Sequence, residues 1–156
     1  MALEAQRSNT DLNEINEIYE IYDGFDAAAA LSELATVVDD LVYDGCWEEL
    51  QGAHNLLRQL RVARRYPDAP KRDVWLKRAA EQFNRLKYED FRAVIIQLAR
   101  FFADTDSSVR RLGDYLLNRK TSAEARRRGD IAAARYFGSA AEYQLRCLTD
   151  AIEDNR

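Results

Sequence analysis

Between Ile131 and Ile152 the inward positions fall at Ile131, Ala134, Gly138, Ala141, Leu145, Leu148 and Ile152. The spacing alternates between three and four, which holds one seam on a single helical face. At 1.5 Å per residue such a helix runs about 33 Å, the width of a small domain. Alanine and glycine line its first half, so a neighbouring backbone can approach closely there. Leucine and isoleucine line the second half and need a wider gap. The pattern predicts the central or closing helix of an all-helical domain.

The same periodicity recurs through the rest of the chain. Residues 1–9 carry no such pattern and read as a frayed N-terminus. Thr10 or Asp11 can cap a first helix, with Glu14 completing a capping box, Leu12, Ile15, Ile18 or Tyr19 and Tyr22 as its stripe, and Gly24 as its end. Asp26 caps a second, with Leu31, Leu34, Val38 and Leu41 inward, broken by Asp44-Gly45. A third, from about Cys46 to Arg65, turns Trp47, Leu50, Ala53, Leu57 and Leu60 inward. A fourth is capped by Asp73 and carries Leu76, Ala79 or Ala80, Phe83 and Leu86.

A fifth helix begins around Tyr88-Glu89-Asp90 and buries Phe91, Val94, Ile95, Leu98 and Phe102, while Ile96 and Phe101 spill onto a second face. A sixth is capped by Asp106, with Val109, Leu112, Leu116 and Leu117 inward. Thr121 and Glu124 form another capping box that opens a separate segment leading to Gly129-Asp130. Gly129 either breaks that segment from the last helix or sits within it, at a cost of about 1 kcal/mol relative to alanine.

The run from Ala125 through Gly129-Asp130-Ile131 to Ala134, with Ala141 beyond, resembles the turn of a tetratricopeptide-type helical hairpin. That resemblance implies Gly-Asp at the turn and small residues on the second helix. It covers one hairpin and departs at Gly138, where the family places an aromatic. The hairpin from Val37 to Leu57, with Asp44-Gly45 at its turn and Trp47 following, is a fainter instance, and there is no clean 34-residue repeat. The predicted fold is all-α, with about seven helices in antiparallel hairpins, forming a compact bundle or a short tetratricopeptide-like stack.

Composition supports this picture. Only 2 prolines and 6 glycines punctuate 156 residues, which favours long helices over a sandwich or barrel. Both prolines lie in 66–72, the one candidate hinge in a single helical domain spanning 10–156. No run of eighteen apolar residues suggests a membrane span, and the first residues lack a signal-peptide pattern. Cys46 and Cys147 are too few for a disulfide framework and read as reduced thiols, so the expected setting is cytoplasmic.

Charge changes the picture more. Residues 1–57 hold 13 acidic groups and one base, Arg7, whereas 58–78 hold 8 basic groups against Asp68 and Asp73. The basic stretch comprises Arg58, Arg61, Arg64, Arg65, Lys71, Arg72, Lys77 and Arg78, interleaved with Tyr66 and Trp75. Arg61, Arg65 and Arg58 share a helical face, suited to tracking phosphates while the aromatics stack on bases. The alternative is a cationic face that pairs with the acidic first third. A second basic cluster, Arg126 to Arg128, precedes the Gly129 turn.

The acidic clusters are Glu14, Glu17 and Glu20, then Asp39, Asp40 and Asp44. They lack the regular pairing with which helical nucleotide pyrophosphatases hold magnesium, and read instead as an acidic interaction surface. Together with Asp23, Glu48 and Glu49, that surface could imitate a phosphate array. The single histidine, His54, excludes a helical di-metal site built from paired Glu-x-x-His motifs. It is expected to be partly buried and hydrogen-bonded. No nucleophile has a base nearby in sequence, and no phosphate loop or other cofactor motif is present.

These features point to a non-catalytic protein–protein interaction or adaptor domain that uses a helical groove with charged flanks. The Ala/Gly half of the last helix is available to pack internally or to form a homo-oligomer. The competing readings are a nucleic-acid-associated role for residues 58–78 and an acidic inhibitor that mimics nucleic acid.

Overall fold

The computed structural model describes residues 24–154. Among them are six helices: α1 (Ala27–Tyr43), α2 (Trp47–Arg64), α3 (Ala69–Arg85), α4 (Glu89–Phe101), α5 (Asp106–Arg127) and α6 (Ile131–Asp154). The described chain is all-α, and its helices pack as a compact bundle. The helix expected over 11–23 lies outside the described residues.

Three boundaries differ from the sequence expectation, each for a local reason. Helix α3 starts at Ala69, not after Asp73, because Pro70 falls in its first turn, where a missing N–H removes no intrahelical bond. Part of the expected hinge at 66–72 is therefore helix. Asp106 is the first residue of α5, behind Thr105 at the N-cap position, and its carboxylate turns outward to Arg61. Thr121 caps nothing. Its hydroxyl donates to the Leu117 carbonyl one turn back, at 2.9 Å, and Lys120 pairs with Glu124 at 3.2 Å along a continuous helix.

Gly129 ends that helix. Its φ of +80° is a left-handed conformation that only glycine adopts without strain. Asp130 then caps α6, its carboxylate accepting from the Ala133 N–H at 3.1 Å. The result is a long α5–α6 hairpin, closed near its turn by the Ser122 hydroxyl, which donates to the Ala134 carbonyl at 2.7 Å.

Helix α2 is the hub, flanked by α3 on one side and α5 on the other, while α1 packs chiefly on α4. Accordingly α2 buries Leu56 and Ala63 as well as the expected Leu50, Ala53, Leu57 and Leu60. Helix α2 approaches α5 closely at Gly113. The His54 Nδ1–H donates to the Gly113 carbonyl at 2.9 Å, and a Cβ at position 113 would lie 3.3 Å from that nitrogen. Helix α6 closes the bundle through Ala134, Ala141, Leu148 and Ile152. Ile131, expected in the seam, is 50% exposed at the hairpin turn, and Gly138 and Leu145 are only half-buried.

One buried charge organises the far end of α2. Glu49 is 6% exposed, and its carboxylate accepts from the Lys87 N–H at 3.1 and 3.0 Å and from the Tyr88 N–H at 3.4 Å. It thereby holds the α3–α4 connection against α2 and is withdrawn from the acidic surface where the sequence reading placed it.

Two substitutions test this packing. Leu148→Asp should cost several kcal/mol by burying an unpaired carboxylate, visible as loss of cooperative urea unfolding. Glu49→Ala leaves two backbone donors without their acceptor and should lower the unfolding free energy by about 1–3 kcal/mol, read from the urea midpoint at unchanged slope.

Candidate functional site

A cleft of about 830 Å³ opens between α1, the start of α2, α5 and α6. It exists because α1 is committed to α4, whereas α5 and α6 pair with each other. The facing positions are too small to fill the gap: Ala35, Ala123, Gly138 and Ala141, with Val42 and Leu145 beside them. The half-burial of Gly138 and Leu145 has the same origin, since both face this opening.

The polar side of the cleft is fixed by Arg119. One guanidinium nitrogen donates to Asp39 at 2.6 Å and another to the Tyr115 hydroxyl at 3.2 Å. Burial pushes the Tyr115 phenol above its ordinary value, against the opposing pull of Arg119. At the hairpin end, the Arg127 guanidinium lies 5.4 Å from the Trp47 ring centroid, a cation–π distance. Trp47 is oriented by its own indole N–H, which donates to the Val42 carbonyl at 3.3 Å. Arg126 and Arg127 both line the cleft, and among the described residues neither forms an ion pair. Tyr43, at the rim, is 91% exposed.

The basic stretch lies elsewhere, on the last turns of α2 and the first turns of α3. Arg61 is engaged internally. Its Nε and a terminal nitrogen donate to the two Asp106 oxygens at 3.0 and 2.9 Å, a bidentate geometry. The hydrogen bond from Arg61 holds the Asp106 carboxyl below its ordinary value, with Arg65 and Arg64 adding to the field. Arg58, Arg64, Arg65, Lys71, Arg72, Lys77 and Arg78 are exposed. Of these, Arg58, Arg65, Lys71, Arg72, Lys77 and Arg78 form no ion pair among the described residues. Trp75 is half-buried beneath Arg78, whose guanidinium carbon is 4.5 Å from its ring centroid.

The acidic candidates divide three ways. Glu14, Glu17 and Glu20 lie outside the described residues. Asp39 is paired with Arg119. Asp40 and Asp44 are exposed at the end of α1. Asp39 and Glu49, two carboxylates of the acidic first third, are engaged by Arg119 and by the Lys87 and Tyr88 backbone rather than by the basic stretch. Arg119 was missed in sequence because its partner is eighty positions away. The Arg126–Arg128 cluster is visible in sequence, but the placement of Arg127 over Trp47 is not.

Among the described residues, no three His, Cys, Asp or Glu side chains come together as metal ligands. Cys46 and Cys147 are free thiols, and the Cys46 sulfur lies 3.0 Å from the Tyr88 hydroxyl. No described helix is long and apolar enough to cross a membrane. Comparisons with protein-family models, with curated proteins and with solved structures find no match to this chain.

The Arg61–Asp106 pair carries a pH signature. Because the folded carboxyl titrates below the ordinary 3.8, the pair's contribution is present in full above that value and is lost as pH falls through the lowered one. Asp106 is 56% exposed, so the contribution should stay below about 1 kcal/mol. Urea midpoints of the parent and of Asp106→Asn should differ at neutral pH, converge in strong acid, and draw together in high salt.

Proposed function

We propose that this chain is a non-catalytic binding domain that holds an acidic segment of a protein partner, with an aromatic or aliphatic side chain seated in the α1–α5–α6 cleft. One observation carries the reading. The cleft joins a floor of small apolar residues to two arginines, Arg126 and Arg127, that have no ion-pair partner among the described residues. Small residues leave room for the side chain, and the arginines favour a carboxylate beside it. The volume is that of a ligand-binding pocket, and the exposed Tyr43 ring at its edge offers a further contact. A cytoplasmic setting belongs to the same reading, with both cysteines as free thiols.

Catalysis is the weaker reading. The Ser122 hydroxyl in the cleft is engaged by the Ala134 carbonyl. The single histidine directs Nδ1–H into the α2–α5 contact, outside the cleft. Asp39, a magnesium candidate in sequence, already accepts from Arg119. The acidic-mimic reading is weakened as well, because Asp39 and Glu49 are engaged within the fold.

A displayed library of random peptides, selected on the parent domain, tests the proposal. The enriched peptides should be acidic and carry an aromatic or large aliphatic residue. Arg126→Glu combined with Arg127→Glu should abolish their binding, Tyr43→Ala should weaken it about tenfold, equivalent to about 1.4 kcal/mol, and Arg72→Glu should leave it unchanged. Failure to enrich any peptide, or enrichment of peptides indifferent to the double charge reversal, overturns it.

A further inference from the structure

We propose that the face formed by the end of α2 and the start of α3 binds the sugar–phosphate backbone of a nucleic acid without reading its bases. The proposal does not depend on the cleft. It rests on six cations with no ion-pair partner among the described residues: Arg58 on α2, Arg65 at its C-cap, and Lys71, Arg72, Lys77 and Arg78 on α3. All six are exposed.

The two helices pack directly on each other and are joined by the short connection from Arg65 to Asp68, so their cations gather at one end of the helix pair. Arg58 and Arg65 are seven positions apart, two turns along one side of α2, and Lys71 and Arg78 repeat that interval on α3. Of the nearby carboxylates, Asp106 is held by Arg61, and the exposed Asp68 and Asp73 leave the six cations in excess. An array of this kind, facing water with cations in excess of carboxylates, concentrates polyanions and releases their condensed counterions on contact.

The acidic first third is the natural objection, and the fold answers it for the described part. Asp44 precedes α2, while Arg58 to Arg65 lie on its last turns. That interval of fourteen to twenty-one residues spans roughly 21–32 Å at the helical rise. The Debye length in physiological salt is about 8 Å, so the repulsion is largely screened. Asp39, one turn further back on α1, is neutralised by Arg119.

An anionic membrane surface shares the charge but also needs an apolar face to insert. On α3 the exposed large hydrophobic residue is Val74, at 52%, and the Trp75 ring is covered by Arg78. The observations favour the nucleic acid. The Arg78–Trp75 stack also occupies the ring on which a base would lie, which is why the face reads phosphate rather than sequence.

The test is fluorescence anisotropy with the full chain and two labelled 25-base-pair DNA duplexes of unrelated sequence, across a salt series. Both should bind with equal affinity. The logarithm of the association constant should fall linearly with the logarithm of salt, with a slope no steeper than about −5 for six phosphate contacts. Arg58→Ala, Arg65→Ala and Arg72→Ala combined should flatten that slope by nearly three while circular dichroism and the melting temperature stay at parent values. Arg126→Glu with Arg127→Glu should leave the slope as it is. No binding at 50 mM salt overturns the proposal, as does a slope unmoved by the triple substitution or abolished by the cleft pair. Strong sequence preference, or tighter binding to phosphatidylserine vesicles than to either duplex, overturns it too.

Discussion

The close approach of α2 to α5 constrains the rest of the architecture. Helix α2 is packed on two sides, and the hydrogen bond from His54 to the Gly113 carbonyl sets how near α5 can come. A side chain at 113 would press on the imidazole, pushing α5 outward and carrying α6 with it. Because α5 and α6 pack on each other as a hairpin, that contact also bears on their distance from α1. The width of the cleft thus reflects how α2 is buried, together with the Arg119–Asp39 pair that ties α5 to α1 across the opening.

The two charged features sit on different parts of this frame. The cleft arginines come from the last turns of α5, at the turn defined by Gly129. The phosphate-suited cations come from the α2–α3 connection. The two proposed binding faces therefore draw on different guanidinium groups. Arg61 and Arg119 belong to neither set, since each is tied to a carboxylate on another helix and holds elements together.

Much of the fold was legible because it depends on local periodicity. The stripes Leu31–Leu41 and Phe91–Phe102 are buried as read, and Gly-Asp at 129–130 forms the hairpin turn. What escaped were features decided by distant residues. Thr121 and Glu124 spell a cap, yet they continue a helix because α6 packs along its length. Leu56 looks like an off-stripe residue of a one-faced helix until α2 proves to have neighbours on both sides. The basic stretch was visible as composition, but only the fold could show that Arg61 is engaged while Arg58, Arg65 and Arg72 face water. The cleft had no local signature, since alanines at 35, 123 and 141 are ordinary helix formers wherever they occur.

Glu49 ties events at one end of the molecule together in time. The backbone N–H groups of Lys87 and Tyr88 lie in a connection between helices, where amides normally exchange with solvent as fast as the chain frays. Held by a carboxylate from α2, they exchange only when the start of α2 opens. The first turns of α2 and α4 therefore form one cooperative unit, although nearly forty residues of sequence separate them. Tyr88, whose hydroxyl meets Cys46 at the N-cap position of α2, belongs to the same unit. Opening at that end is thereby coupled between two helices, far from the α5–α6 turn at Gly129.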